Sequence, residues 1–225
     1  MTLRLPEDHR FTGRRRALIE EIRQAGVADL EILELFDRVP RHLFLPEAMW
    51  GRAYEDVALP IGYGQTASQP SLQARYLEIL RPGSQETVLE LGTGCGFLTV
   101  LLSEMAERVY SVERIPELTH RVRETLDRLG VRNVALMTGD GTIGWRKFAP
   151  FDVIVVSAAS PEVPQPLVDQ LADGGRMLIP VGRRESQRLV LVRKDGFAVT
   201  QQPLDAVIFV PLVGKYGYSP DGEGR

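Results

Sequence analysis

The feature that most constrains this sequence is a short apolar run, residues 88–91, that ends in three glycines separated by single residues. The glycines are Gly92, Gly94 and Gly96, and an apolar pattern with helical spacing begins directly after them at Phe97. Glycine tolerates positive φ angles and lets a ligand approach the backbone closely, while the first turn of a helix offers free N–H groups. The segment therefore predicts a buried strand, a tight ligand-binding loop and a helix.

The spacing of these glycines distinguishes between two kinds of cofactor. A dinucleotide-binding loop, Gly-x-Gly-x-x-Gly, needs a third small residue where the helix packs closely on the strand. Phe97 occupies that position. The tighter loop resembles instead the S-adenosylmethionine (SAM) site of class I methyltransferases, which have a Rossmann-like fold. A glycine-rich loop is a weak signal by itself, so this interpretation depends on residues further along the chain.

The chain beyond residue 86 alternates strand and helix patterns. Strands are predicted at 87–91, 108–112, 134–138, 151–156 and 176–181. Such βαβ repetition favours an α/β fold with a doubly wound, mostly parallel sheet. Later β runs at 188–193, 197–200 and 207–212 surround a hairpin signal at Asp195-Gly196. They predict an antiparallel far edge of the sheet.

The N-terminal part of the chain has a different pattern. Helical patterns occupy much of residues 12–50, before the first strand of the predicted sheet, and indicate an N-terminal helical appendage. We expect residues 1–83 to form this appendage and a substrate loop, 84–213 the SAM-binding α/β core, and 214–225 a flexible tail. All three parts are expected to belong to one compact domain.

Composition excludes several classes of protein. The chain has 225 residues, of which 44% are hydrophobic and 25% charged, as in ordinary globular proteins. Its formal net charge of −3 gives no basic field for nucleic acid. The single cysteine, Cys95, excludes an internal disulfide framework and a cysteine-rich metal site. No apolar run approaches the ~18 residues of a membrane span, and the N-terminus lacks a signal-peptide core. We therefore expect a cytoplasmic protein without metal.

Two of the predicted strands end in acidic residues that suit an adenosine. In an open parallel sheet, ligands bind beyond the carboxyl ends of the strands. Glu113 ends the second strand, 21 residues after Gly92, close to the ~20-residue offset at which an acidic side chain binds a ribose diol. Asp140, between Gly139 and Gly141, follows the third strand and could accept from an exocyclic amine. Singly, Glu113 could be a solvated strand end and Asp140 an Asx-turn residue. Their order along the chain favours SAM.

Two polar side chains within the glycine segment each allow two interpretations. Glu90 lies inside a predicted buried strand, where a carboxylate is costly unless it is hydrogen-bonded. It could form an ion pair with an arginine, or it could orient the glycine loop or accept from the methionine ammonium, which we favour. Cys95 lies at a helix N-terminus, a position that lowers a thiol pKa. We nevertheless favour a small loop-filling side chain over a catalytic one.

Residues 56–69 combine proline, two glycines and small hydroxyl side chains without a regular period, which predicts a functional loop. Pro70 opens the helix that follows. Ser68, two residues earlier, is well placed to cap that helix. Its position in the loop is equally compatible with a role in the site, and the sequence pattern does not choose between the two.

The chain resembles protein-L-isoaspartate O-methyltransferases along nearly its whole length. The segments that carry the resemblance are Val39-Pro40-Arg41, Ala58-Leu59-Pro60-Ile61-Gly62, Gln65-Thr66-Ala67-Ser68-Gln69-Pro70, residues 88–96, Ser111-Val112-Glu113-Arg114, Gly139-Asp140-Gly141, Pro150-Phe151-Asp152, Leu178-Ile179-Pro180-Val181-Gly182 and Phe209-Val210-Pro211-Leu212. The Gln-Thr-x-Ser-Gln-Pro segment is the most specific, because generic methyltransferases lack it. Val213 departs from the polar residue that relatives often carry.

The resemblance implies an enzyme that transfers a methyl group from SAM to isoaspartyl residues of damaged proteins, releasing S-adenosyl-L-homocysteine. It also implies a monomer that acts on proteins and peptides, not on nucleic acid or membranes. By resemblance, Ser68 is the catalytic residue. The cofactor-binding residues are Glu90, Gly92, Thr93, Gly94, Gly96, Glu113, Asp140 and Gly141. The substrate-binding residues are Ile61, Gln65, Thr66 and Ser68.

Two other functions stay open from the sequence alone. The first is a SAM-dependent methyltransferase that acts on another carboxyl or small-molecule substrate. The second is a non-catalytic module that binds damaged chains. The complete set of SAM-binding features argues against the binding module.

Overall fold

A mixed seven-stranded β-sheet forms the centre of the computed structural model, which describes residues 3–4 and 9–219. A small hairpin precedes it, with strands β1 (Leu59–Gly62) and β2 (Gln65–Ala67). The strands of the large sheet are β3 (Thr87–Leu91), β4 (Arg108–Glu113), β5 (Val134–Thr138), β6 (Phe151–Val156), β7 (Leu171–Arg183), β8 (Ser186–Asp195) and β9 (Ala198–Val207). Their order is β5-β4-β3-β6-β7-β8-β9. The first five in this order pair in parallel, and β8 and β9 are antiparallel. The predicted fold class is confirmed.

Six α-helices accompany the strands among the described residues. They are α1 (Thr12–Gln24), α2 (Leu30–Arg38), α3 (Pro70–Leu80), α4 (Phe97–Met105), α5 (Pro116–Leu129) and α6 (Gln165–Asp169). Local chemistry sets several of their ends. The Asp29 carboxylate caps α2 by accepting from the Glu31 amide at 3.0 Å. Pro70 occupies the first turn of α3, where its missing N–H costs nothing. Gly130, with φ of +74°, ends α5.

The two faces of the sheet are covered by separate cores. Along β3 the side chains alternate, so that Val88 packs into a core shared with α1 to α5. Leu89 and Leu91 point to the opposite face, into a core that includes Tyr110 and Ile154. Burial on both faces is the usual condition of a parallel sheet and explains why its strands read as continuous apolar runs.

The segment before α3 is more ordered than the loop that its sequence predicts. The helical pattern that ends near residue 50 corresponds to two short 3₁₀ helices, Arg41–Phe44 and Glu47–Arg52, whereas the predicted loop 56–69 contains a hairpin. The β1–β2 hairpin then turns through Tyr63 and Gly64, both with positive φ, which is the geometry of a type I′ turn. Two strands of three and four residues are too short to give a recognisable period.

The far edge and the C-terminal segment also differ from expectation. The predicted β runs 197–200 and 207–212 are replaced by one strand, β9, which continues through Pro203. Proline is tolerated there because β9 is an edge strand that pairs only with β8. Residues 214–219, expected to belong to a flexible tail, are held against the core. The Lys215 amide donates to Asp140 Oδ2 at 2.8 Å, and the Tyr218 hydroxyl donates to the Gly182 carbonyl. Residues 220–225 lie outside the described residues.

In the part of the chain that the structure describes, no helix is long and apolar enough to cross a membrane. The same described residues contain no group of three or more histidine, cysteine or acidic side chains arranged to hold a metal ion.

Candidate functional site

A pocket opens at the carboxyl ends of β3 and β4, next to the point where the strand order reverses between β3 and β6. This is the position at which open α/β sheets bind their ligands. About 800 Å³ in and in front of the pocket is free of protein atoms, and this volume includes open solvent. Four parts of the chain form its walls. They are the glycine loop (Gly92–Cys95), the end of β4 (Glu113–Ile115), the β1–β2 hairpin with the residue after it (Gln65–Ser68), and a C-terminal wall that follows β9 (Val210–Val213).

The glycine loop has the backbone conformation that its sequence predicts. Gly92, Gly94 and Gly96 have φ angles of +89°, +56° and +83°, which L-residues with a side chain rarely adopt. At Gly96 a second constraint applies, because a Cβ atom there would stand 2.7 Å from Val122 Cγ1 on α5. The first two glycines border the pocket. Gly96 does not, and its role is to let α5 approach the loop.

Glu113 holds the glycine loop from below. It is only 6% exposed, and its Oε2 accepts from the Gly94 amide at 3.0 Å. Its Oε1 accepts from the Ile115 amide, also at 3.0 Å. The alternative of a solvated strand end is therefore wrong. Since a carboxylate can accept about four hydrogen bonds, these two leave room for a ligand hydroxyl.

Asp140 has the geometry of the Asx-turn alternative. Its Oδ1 accepts from both the amide (2.8 Å) and the hydroxyl (2.6 Å) of Thr142, and its Oδ2 accepts from the Lys215 amide. The side chain does not line the pocket, although the next residue, Gly141, does. Three of its approximately four acceptor positions are thus used by the chain itself. Recognition of an exocyclic amine by Asp140 stays a prediction.

Glu90 lies beneath the glycine loop and is fully buried. The hydroxyls of Thr99 and Ser111 each donate to its Oε2 at 2.6 Å, and the Ser111 hydroxyl is in turn 2.6 Å from that of Thr93. Its Oε1 has no hydrogen-bond partner within the described part of the chain. Desolvation raises the pKa of Glu90 to about 7, although the two hydroxyls favour the charged form.

These contacts decide between the interpretations of Glu90. No arginine forms an ion pair with it among the described residues, so that alternative is not realised. The side chain also does not line the pocket. Its contact with the site runs through Ser111 to Thr93, which does border the pocket. The geometry therefore favours orientation of the glycine loop over direct contact with a ligand.

Ser68 lines the pocket and does not cap α3. The α3 N-terminus is held by Asp56, whose Oδ1 accepts from the Ser71 amide at 2.8 Å. The Ser68 side chain is partly exposed, and no hydrogen bond of its hydroxyl is found within the described residues. The helix-cap alternative is wrong, and the hydroxyl stands free to contact a ligand.

The residues predicted to bind substrate separate into two groups. Gln65 and Thr66 border the pocket beside Ser68. Ile61 lies on the other side of the hairpin and is 2% exposed. Its Cδ1 would stand 3.6 Å from a Cβ atom on Gly94, so it packs against the glycine loop. Ile61 is therefore placed to fix the hairpin against the loop, not to touch a ligand in the pocket.

Cys95 borders the pocket, but its environment differs from the one expected at a helix N-terminus. Burial raises the pKa of the thiol, and this outweighs the opposing effects of the Phe97 amide and of Arg41. The neutral thiol is therefore favoured. This agrees with a loop-filling side chain and not with a nucleophile.

Two parts of the site were assigned no role from the sequence. One is the C-terminal wall, Val210–Val213, which has no motif beyond the resemblance. The other is Arg41, a 1% exposed arginine whose guanidinium contacts the backbone of the Ser68 segment. A charged residue between apolar neighbours, Val39-Pro40 and Leu43-Phe44, is the signal that could have indicated it.

The chain is similar in sequence to a family of known proteins. The family model described as "Protein-L-isoaspartate(D-aspartate) O-methyltransferase (PCMT)" matches residues 13–217. A protein-L-isoaspartate O-methyltransferase of Methanoculleus marisnigri is 50% identical over 199 residues, which cover 88% of this chain and 90% of the relative. One from Dictyoglomus thermophilum is 45% identical over 208 residues, 92% of this chain and 94% of the relative.

Solved structures show the same likeness. A structure named protein-L-isoaspartate O-methyltransferase superposes with a TM-score of 0.80 and 31% identity, covering 90% of this chain and 67% of that one. A Plasmodium falciparum structure, described as a beta-aspartate methyltransferase in complex with S-adenosyl-L-homocysteine, gives 0.78 and 24%, over 88% of this chain and 98% of that one. At 24% identity the second structure supports the fold alone.

Proposed function

Because the chain belongs to the protein-L-isoaspartate O-methyltransferase family, we propose that it methylates the free carboxylate of isoaspartyl residues in damaged proteins. SAM is the methyl donor and S-adenosyl-L-homocysteine the product. The methyl ester then collapses to a succinimide, whose hydrolysis returns some normal aspartate. The observation that carries the proposal is the family match over residues 13–217, because it includes both the glycine loop and the Gln65–Pro70 segment.

The chemistry of the pocket fits SAM. The glycine loop exposes backbone at Gly92 and Gly94 without side chains that would fill the space. Beside it stands the buried Glu113, with acceptor capacity left for a ribose diol. SAM supplies an activated methyl group when bound. We propose that the residues that contact it are Gly92, Thr93, Gly94, Glu113 and Gly141. Gly96 would act through the packing of the loop on α5, Asp140 through its contacts with Thr142 and Lys215, and Glu90 through Thr93.

The positions of the acidic residues agree with the charge change of the reaction. The positive charge of a sulfonium disappears as its methyl group leaves, so a carboxylate in contact with sulfur would stabilise the ground state. Glu90 is screened from the pocket by the glycine loop, and the Glu113 carboxylate is bound to the loop amides. Neither carboxylate is therefore placed to oppose the transfer.

The substrate carboxylate needs positioning and not deprotonation. A carboxyl group is already ionised at pH 7, so no strong general base is required. A histidine is the usual general base, but the buried His42 does not line the pocket. It is hydrogen-bonded to the Tyr54 hydroxyl at 2.8 Å instead. We propose that the Ser68 hydroxyl donates to the substrate carboxylate and aims it at the methyl group, while Gln65 and Thr66 border the peptide. In-line positioning and exclusion of water then supply the rate enhancement.

A paired-peptide assay tests the proposed function. An isoaspartyl peptide and its aspartyl twin are incubated with the protein and methyl-labelled SAM, and ester formation is measured. Transfer to the isoaspartyl peptide alone is the expected result. Equal transfer to both peptides would support a methyltransferase with another carboxyl substrate. SAM-independent binding of the peptide without transfer would support the binding module.

We further propose that the protein acts as a cytoplasmic monomer without metal, nucleic acid or membrane partners. The net charge of −3 argues against a nucleic-acid partner, and the lone cysteine argues against a cysteine-rich metal site. Light scattering during size-exclusion chromatography should give a mass near 25.1 kDa. A mass twice as large would contradict the monomer.

A further inference from the structure

A buried arginine lies behind the hairpin that carries Ser68. Arg41 opens the first 3₁₀ helix after α2 and is only 1% exposed. An arginine is always charged in proteins and is almost never buried unless its donors are satisfied. The contacts of this guanidinium therefore indicate what the buried charge is used for.

The two terminal nitrogens of the guanidinium make four hydrogen bonds within the described residues, all to backbone carbonyls, while Nε has no partner there. Nη1 donates to Ala53 O at 2.9 Å and Glu55 O at 3.4 Å. Nη2 donates to Val57 O at 3.3 Å and Ser68 O at 3.0 Å. Val57 and Ser68 lie just outside the two ends of the hairpin, so one nitrogen connects both ends.

The hairpin needs such an anchor. A two-stranded sheet is marginally stable by itself, and β1 and β2 do not pair with the main sheet. At the tip the Arg121 guanidinium donates to Ile61 O at 3.2 Å. At the base the Arg41 guanidinium closes the hairpin, and it bonds the carbonyl of the same residue whose side chain faces the pocket. The backbone position of Ser68 is thereby fixed relative to the core.

We propose that Arg41 is a positioning residue for methyl transfer, which sets the Ser68 hydroxyl relative to the substrate carboxylate by holding the base of the hairpin. The inference rests on the proposed function. It is specific to the guanidinium, because a lysine ammonium is a compact point charge with three donors and lacks the planar fork that reaches four carbonyls.

A double-mutant cycle tests the proposal. Arg41→Lys, Ser68→Ala and the double variant are compared with the wild type for kcat and KM on an isoaspartyl peptide, and for S-adenosyl-L-homocysteine affinity. A misplacement of about 1 Å can cost roughly 100-fold in rate, so we expect Arg41→Lys to lower kcat by about 10- to 100-fold. The affinity for S-adenosyl-L-homocysteine should change less than about twofold, since the four hydrogen bonds of the guanidinium go to residues outside the glycine loop and the substitution keeps the positive charge near Cys95.

Non-additivity is the decisive outcome. If Arg41 acts through Ser68, Arg41→Lys should lower kcat by less than about threefold in the Ser68→Ala background. An equal fractional loss in both backgrounds would overturn the proposal, as would an unchanged kcat for Arg41→Lys. If the wild type itself transferred no methyl group to the isoaspartyl peptide, the proposed function would be refuted. Failure of the proposed function and failure of the proposed role of Arg41 are therefore distinguishable.

Arg176→Lys is a matched control. Arg176 is also largely buried and donates to two backbone carbonyls, Leu80 O and Arg81 O, as well as to Glu86. It joins the end of α3 to β7 and does not line the pocket. Arg176→Lys should lower the Tm while leaving kcat within about twofold. A fall in kcat equal to that of Arg41→Lys would show that general destabilisation explains both, and would overturn the proposal.

Hydrogen exchange of the wild type tests the proposal even if Arg41→Lys does not fold. The anchored hairpin should exchange its Leu59 and Ala67 amides at rates close to those of core strands. Exchange as fast as that of exposed loops would show that the base of the hairpin opens freely, and would overturn the proposal.

Discussion

Replacing Glu90 by glutamine should remove a large pH-dependent contribution to stability between pH 5 and pH 8. The pKa of this fully buried carboxyl is raised from its ordinary 4.5 to about 7, mainly by desolvation. Each pKa unit corresponds to about 1.4 kcal/mol, so ionisation of Glu90 costs the folded state about 3 kcal/mol.

The sign follows from which state binds the proton. Below pH 4.5 Glu90 is protonated in both states, and its contribution to stability is fully present. Between 4.5 and 7 the unfolded chain loses this proton while the folded protein keeps it, so the free energy of unfolding falls as the pH rises. Above 7 both states are ionised and the loss is complete. Part of this loss has already occurred at pH 5, so the wild type should be less stable at pH 8 than at pH 5 by about 2.5 kcal/mol from this group.

Urea denaturation of the wild type and Glu90→Gln at several pH values between 5 and 8.5 measures the effect. The difference in unfolding free energy between the two proteins should change by about 2.5 kcal/mol across this range. Glu86→Gln is a suitable control. The Arg176 guanidinium holds the pKa of Glu86 below its usual value, so above about pH 5.5 Glu86 is ionised in both states and adds little pH dependence. A wild-type-minus-Glu90→Gln difference that stays constant with pH would refute the reasoning.

Three further outcomes follow from the site. Ser68→Ala should lower kcat/KM for an isoaspartyl peptide by about 10- to 100-fold with nearly unchanged SAM affinity, measured beside a Ser71→Ala control; unaltered turnover would contradict the positioning role. Gly96→Ala should destabilise the protein by about 1–3 kcal/mol in urea titrations, because the φ of +83° is strained and the new Cβ meets Val122; a neutral result would be inconsistent with that packing. Gly214→Ala should weaken S-adenosyl-L-homocysteine binding, because its Cβ would overlap the Asp140 carboxylate and displace the C-terminal wall; calorimetry showing wild-type affinity would argue against this.

The sequence predicted the fold best where glycine and proline mark the ends of elements. Strands β3, β5 and β6 begin and end at the expected residues, because polar or glycine residues interrupt their apolar runs. The β1–β2 hairpin was missed because its strands are stabilised by Arg41 and by contact with the glycine loop, neither of which leaves a local period. The packing of residues 214–219 likewise depends on Asp140 and Gly182, far away in sequence.

In the site, too, the features set by local pattern and strand order were predictable, and those set by contacts between distant residues were not. The positions of the glycine loop and of Glu113 follow from strand order, which the βαβ rhythm makes predictable. The role of Ser68 could not be separated from helix capping, because Asp56 takes the cap from 15 residues before Ser71. The hydrogen bonds of Glu90 to Thr99 and Ser111 could not be predicted either, because a strand pattern gives the face on which a side chain lies but not its neighbours.

The environment of Cys95 has a consequence for how the protein withstands oxidation. Peroxides and electrophiles attack the thiolate, and the raised pKa of this thiol keeps the thiolate population small. The neutral thiol also stands beside the glycine loop, where a bound ligand would cover it. The only sulfhydryl group of this chain is therefore in the protonation state least open to oxidation.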